Sequence, residues 1–305
     1  MSDPIKVDAH VHLYRDEVQG RAEKEGYQVW EYGEKSDVHS SECVGTIEEL
    51  VPQMRSTGIV KAVVVNLFSA LAAREDALAA GEKKLADIDA WVIDQMVSFN
   101  RWSCELARRH DGLVPFVAAD PAALPGEQGA KHLRDMVEEG AAGVKLHGAF
   151  QIFQMGDQRL WPIYATCRDL GVPIIAHSGP DRGNEGFAEP QAFASMLKAF
   201  PELRVVLAHL GGGAWHQVLQ IAQTYPNAYF DCCEIMEWTD SPIGPSEKQL
   251  GQLIKDIGPQ RVMMGSDFPW YDLDHSIDRV MSLPVLSMEE KEGIIGANAV
   301  EILGL

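Results

Sequence analysis

Along the chain, short and nearly continuous apolar runs alternate with longer stretches in which apolar residues recur every three or four positions. The short runs are Ile5–His12, Val60–Asn66, Leu113–Ala119, Gly143–His147, Val172–His177, Arg204–His209, Ala228–Cys232 and Arg261–Asp267. Such β-branched runs, each ending near polar residues or glycine, suit strands of a parallel sheet buried on both faces. Between them the spacing predicts helices. Thr46 and Glu49 form a capping-box pattern ahead of Leu50, Val51 and Met54, and Gly58 ends that pattern. Ile88, Trp91, Val92, Met96, Phe99, Trp102 and Leu106 make a longer stripe, and Leu160, Ile163, Tyr164, Cys167 and Leu170 stop at Gly171. These stripes read as helix faces packed on a sheet.

Strand and helix alternate about eight times without a composition break or an internal repeat, which predicts an α/β fold of the (β/α)8 TIM-barrel type. Residues 1–305 are then a single barrel domain. A doubly wound sheet is the structural alternative, but no GxGxxG lies between the first strand and the first helix. The connections after strands 1 and 2, residues 13–46 and 67–86, are long. In a barrel both would lie over the catalytic face as lids or substrate loops.

Composition narrows the function classes. The 305 residues are 46% hydrophobic and carry 26 basic against 45 acidic side chains, a net charge of -19. Such a chain repels phosphate backbones and anionic membranes, so no nucleic acid and no membrane is expected as a partner. No apolar run approaches the ~20 residues of a membrane span, and residues 1–6 lack the pattern of a signal peptide. The five cysteines are odd in number, Cys232 and Cys233 are adjacent, and no CxxC occurs. Reduced thiols in the cytoplasm and no cysteine-based metal site are the expectation.

The histidines carry the chemistry. His10 and His12 stand two apart at the end of the first run, so they project from one face of a strand and begin a divalent metal site. The fifth run ends in His177, the sixth in His209 and the eighth in Asp267. Buried polar groups are costly unless paired, and in a parallel barrel all C-terminal strand ends surround one mouth. These five side chains should therefore converge. Lys145 and His147 share a face of the fourth strand, and either could look into the same mouth. Arg182, in the loop after the fifth strand, could meet an anionic substrate, and Trp270 could form an apolar wall.

The combination of Asp8-Ala9-His10-Val11-His12, His177, Ala208-His209-Leu210-Gly211-Gly212-Gly213, Gly265-Ser266-Asp267-Phe268-Pro269 and the C-terminal segment 296–305 resembles the amidohydrolase superfamily. These segments look like its amidohydrolase-related branch, which includes decarboxylases of the aminocarboxymuconate-semialdehyde type together with hydrolases and lactonases. The resemblance spans residues 7–305. It implies metal ligation by His10, His12, His177 and Asp267, with His209 as the nearby acid/base or oxyanion-stabilising group and Asp267 also catalytic. Three imidazoles and a carboxylate suit a single Zn²⁺, with Mn²⁺ as the alternative. Binuclear members of the superfamily bridge two metals with a modified lysine at the end of strand four. For Lys145 the expectation here is substrate contact beside one metal.

Two reactions share these residues. The leading expectation is hydrolysis of an ester, lactone or amide of a small organic metabolite by metal-activated water. The alternative is metal-dependent non-oxidative decarboxylation of a small carboxylic acid, aromatic acids included. A decarboxylase needs a cationic clamp, for which Arg182, Lys145 and an arginine of the 13–46 loop (Arg15, Arg21) are the candidates. The acidic net charge does not favour recruiting a small anion, though a local cation and the metal would outweigh a distant screened field, and the expectation leans towards the hydrolase. Barrels of this type often pair, so a homo-oligomer is compatible with the sequence.

Overall fold

The computed structural model describes residues 4–32, 41–81, 83–181, 183 and 185–305. Eight parallel strands follow one another around a barrel in chain order: β1 Lys6–Val11, β2 Ile59–Val65, β3 Leu113–Ala118, β4 Gly143–Leu146, β5 Ile174–Ala176, β6 Val205–Leu207, β7 Ala228–Asp231 and β8 Val262–Met263. Just beyond β8 the ring closes on β1: Ala9 N–H donates to the Met264 carbonyl at 2.9 Å, Asp267 N–H to His10 at 2.9 Å and His12 N–H to Phe268 at 2.7 Å. The TIM barrel expected from the alternation of short and periodic runs is what the chain forms.

The pleat sorts the core into two layers. Val144, Leu146, Ile174, Ala176, Val205, Leu207, Ala228 and Phe230 face outwards into the cluster shared with the helices. Their alternates Val63, Val65, Phe116, Ile175, Val206 and Met263 share a second cluster, which period-two alternation assigns to the barrel interior. On β1, Val7 and Ala9 belong to the second cluster but Val11 and Leu13 to the first. The change of parity coincides with a register irregularity between Asp8 and Val11, where Asp8 pairs with Ala62 and Val11 with Val64. One extra residue there is what a β-bulge accommodates, and it turns His10 and His12 inwards.

The two long connections are not plain loops. The first carries the helix α1, Glu17–Tyr32; after it, α2, Ile47–Thr57, has the capping box read from Thr46 and Glu49. The second carries α3, Ala70–Ala80, capped by Ser69 and ended by Gly81 in the left-handed region, ahead of the long α4, Leu85–Arg109. The α3 sequence is alanine-rich, so it forms a helix by propensity without a strong apolar stripe. Among the described residues, no helix is long and apolar enough to cross a membrane.

Candidate active site

The C-terminal ends of six strands contribute to one cleft, lined by His10, His12, Lys145, His147, His177, His209, Glu234, Asp267 and Trp270, with Tyr27 of α1 beside them. Backbone geometry delivers several of these groups. His209, Glu234 and Asp267 follow β6, β7 and β8, and all three hold φ near +60° (61°, 58° and 59°). A non-glycine residue in that region costs on the order of 1–3 kcal/mol and concentrates at functional sites. Asp8 ties β1 to the segment that carries Asp267, its Oδ1 accepting the backbone N–H groups of His10 and Ser266, both at 3.0 Å.

Donor atoms converge on Asp267. Its Oδ1 lies 3.5 Å from His10 Nε2 and 3.3 Å from His12 Nε2. Ligands held at ~2.0–2.1 Å around one ion stand about 3–3.5 Å apart, so the separations match a shared cation. His10 Nδ1 is 3.0 Å from Asp231 Oδ2, a carboxylate that accepts and so places the ring proton on Nδ1. That leaves the His10 Nε2 lone pair for ligation, in the usual arrangement of a metal-binding imidazole backed by a carboxylate. The amino group of Lys145 sits 3.0 Å from the same Nε2. A second grouping joins Asp267 to His209 and Glu234, and a third joins His10 to His209 and Cys233. The donor chemistry therefore fits a divalent ion.

Electrostatics separate the groups by role. Burial depresses the pKa of His10, His12, His147 and His177, and lowers His209 to about 4 against the opposing pull of Asp267 and Asp231. Burial by itself would raise Asp231, but His10, His209 and the Cys233 thiol hold it down to about 2. Asp267 shows the same contest: burial pushes its carboxyl up, while the His12 hydrogen bond and the neighbouring imidazoles keep it far below the usual range. Burial also lowers Lys145, which is 1% exposed, against the pull of Asp267 and Asp231. Neutral imidazoles beside ionised carboxylates are the protonation states that metal ligation requires.

Aromatic side chains wall the cleft. Trp270 meets His12 edge-on at a centroid distance of 5.3 Å and Tyr27 edge-on at 5.7 Å, and Tyr27 lies 5.0 Å from Phe150. His147 and His177 stack face to face, 3.8 Å apart and 7° from parallel.

Of the residues singled out in the sequence, the cleft gathers His10, His12, His177, His209, Asp267, Lys145 and Trp270. His177 belongs to none of the three donor groupings found among the described residues; its ring lies 4.9 Å from that of His209. Arg182 falls outside the described residues. The sequence reading passes over Asp231 and Cys233. Both face inwards at the end of β7, two positions apart, a spacing that a period-two reading of that strand could have flagged. Cys233 Sγ lies 3.1 Å from His209 Nδ1.

A family model described as Amidohydrolase matches residues 7–305. The chain belongs to this family. A 2-amino-3-carboxymuconate-6-semialdehyde decarboxylase from Dictyostelium discoideum is 25% identical over 267 residues, covering 72% of this amidohydrolase-family chain and 74% of that protein. Among solved structures, a 2,6-dihydroxybenzoate decarboxylase in complex with 2,6-dihydroxybenzoate is similar with a TM-score of 0.69 at 16% identity, over 100% of both chains. A dihydroxybenzoic acid decarboxylase from Polaromonas sp., with bound manganese and the inhibitor 2-nitroresorcinol, gives 0.66 at 17% identity, over 100% of this chain and 98% of that one. At those identities the structures show the shared fold.

The curated relative overturns the expectation of hydrolysis, because it is a decarboxylase. The error has a physical origin. Metal ligands and proton-transfer groups are common to both reactions. The tilt towards hydrolysis came from a net charge of -19, which is screened at a distance and does not govern a buried site that contains Lys145.

Proposed function

We propose that this chain is a metal-dependent, non-oxidative decarboxylase of a small unsaturated or aromatic carboxylic acid, working as one barrel domain in the cytoplasm. The carrying observation is the convergence of His10, His12 and Asp267 at 3.3–3.5 Å beside Lys145, in a chain whose curated relative is a decarboxylase. His10, His12 and Asp267, with His177 bordering them, would hold one divalent ion, with Mn²⁺ as the first candidate and Zn²⁺ the second. When bound, such an ion would supply positive charge to hold acidic oxygens of the substrate and to offset charge developing as the carbon–carbon bond breaks.

The remaining work falls to side chains. Lys145 offers a donor for the substrate's carboxylate, and Trp270 and Tyr27 cover the organic portion and exclude water. Asp267 and His209 enter the reaction without protons, so one of them takes a proton from the arriving acid or from a hydroxyl beside its carboxylate. Carbon dioxide leaves, the electron pair stays on carbon, and the same group returns the proton to that carbon. Atoms and charge then balance with no external oxidant or reductant.

A panel of aromatic and dienoic acids, together with lactones and amides, tests the reading with the manganese-loaded protein. Metal-dependent carbon dioxide release from at least one acid, with no turnover of lactones or amides, is the expected result. Hydrolysis without carbon dioxide release overturns it.

A further inference from the structure

Cys233 lies beneath the cleft and has no place in the chemistry above. It is fully buried, and its sulfur stands 2.9 Å from Asp231 Oδ1, 3.1 Å from His209 Nδ1 and 3.5 Å from His10 Nδ1. We propose that Cys233 is a positioning residue that fixes His209 as the tautomer with its proton on Nδ1. The inference deepens the functional reading and rests on it only for the consequence in rate.

The assignment follows from counting protons among four neighbours. Asp231 accepts on both oxygens: Oδ2 takes the His10 Nδ1 proton at 3.0 Å, and Oδ1 takes the His209 backbone N–H at 2.8 Å. The thiol has one proton. If it pointed at His209, sulfur and the Asp231 oxygen would stand 2.9 Å apart as two acceptors with nothing between them, an arrangement a buried pair does not tolerate. The thiol proton therefore goes to Asp231. Sulfur then shows only lone pairs to His209 Nδ1, which must carry the proton to make the 3.1 Å contact attractive. Glu234 Oε2, 3.7 Å from the same nitrogen, is a second acceptor and favours the same tautomer.

Function follows from what remains. With Nδ1 protonated, the His209 lone pair resides on Nε2, the form able to take a proton from a substrate. His10 is set in the same tautomer by the other oxygen of Asp231. One carboxylate, directly at His10 and through one thiol at His209, thus fixes the proton positions of two imidazoles that line the cleft.

The direct test is two-bond ¹H–¹⁵N correlation spectroscopy of histidine-labelled, zinc-loaded protein, with the His209 signals assigned by their loss in His209→Gln. Wild-type His209 should show a protonated Nδ1 and a bare Nε2. Cys233→Ala should show mixed tautomers, and Cys233→Ser should restore the wild-type pattern. A bare Nδ1 in the wild type overturns the inference, a measurement that needs no Cys233 variant to fold. An unchanged tautomer in Cys233→Ala overturns it as well. In turnover, Cys233→Ala should lower kcat about tenfold or more with KM and metal content unchanged, and Cys233→Ser should recover most of the loss. If every acid fails as a substrate while the tautomers behave as stated, the functional reading fails and the inference about Cys233 stands.

Discussion

Gly265 lies against His10 so closely that a Cβ added to it would stand 2.6 Å from the His10 Cβ and 3.2 Å from that of Cys233. The end of β8 passes the end of β1 with room for a hydrogen atom and nothing larger. This close approach brings Asp267, two residues on, to the imidazoles of β1. Gly265→Ala must therefore push the two strand ends apart. Overpacking of this kind costs about 1–3 kcal/mol, so a lower melting temperature together with weaker metal uptake is expected. A variant with unchanged stability and full metal content would show that the approach is not needed.

Asp231 sets the His10 ring through a 3.0 Å hydrogen bond and does not itself enter the first donor grouping. Asp231→Asn keeps the shape but loses the charge that orients and strengthens the imidazole. Changes to such partners cost about 10–100-fold in metal affinity or activity. Competition against a chelator of known strength should register a drop of that size with the fold intact by circular dichroism. Equal affinity in variant and wild type would remove Asp231 from the metal site.

Lys145 offers its amino group to the cleft from a position 1% exposed. Lys145→Met preserves most of the side-chain volume and removes the donor. A hydrogen bond to a charged group contributes about 1.5–3 kcal/mol, so KM for the carboxylate substrate should rise roughly 10- to 100-fold, with the smaller effect on kcat. Steady-state kinetics on the acid identified by carbon dioxide release decides the matter. An unchanged KM would leave Lys145 as site structure only.

Much of the architecture was legible in the chain because the barrel strands are apolar on both faces and end abruptly in polar residues. His177 follows β5 directly, His209 stands two residues after β6, and His10 and His12 sit two apart at the end of β1. Less visible were features that depend on backbone path. The irregularity between Asp8 and Val11 turns His10 inwards, and His209, Glu234 and Asp267 are aimed by left-handed turns, a backbone conformation that the apolar pattern does not reveal. Asp231 and Cys233 look like ordinary strand-end residues until three-dimensional distances show what they hold. The reaction itself was misread because the same donors serve hydrolysis and decarboxylation. The residues that choose between them contact the substrate rather than the metal.

Away from the cleft, Asn100 of α4 ties that helix to β3. It accepts the Ala118 N–H on Oδ1 at 2.9 Å and donates to the Ala118 carbonyl at 2.9 Å. Its remaining N–H points to His132 Nε2 at 3.0 Å, which must be unprotonated to accept it. Burial depresses the His132 pKa below its ordinary 6.5, in agreement with that geometry. Below pH 6.5 the unfolded chain binds a proton at this position that the folded chain still refuses, so stability present above 6.5 is lost as pH falls towards the depressed folded value. Asn100 cannot turn its amide to suit a protonated ring without breaking both bonds to Ala118. His132→Gln replaces the acceptor with one that does not titrate, so urea midpoints at pH 7.5 and 5.5 should differ less in the variant than in the wild type. If both proteins lose the same stability on acidification, His132 is protonated as readily in the folded protein as in the unfolded chain, and the neutral acceptor assigned to it is wrong.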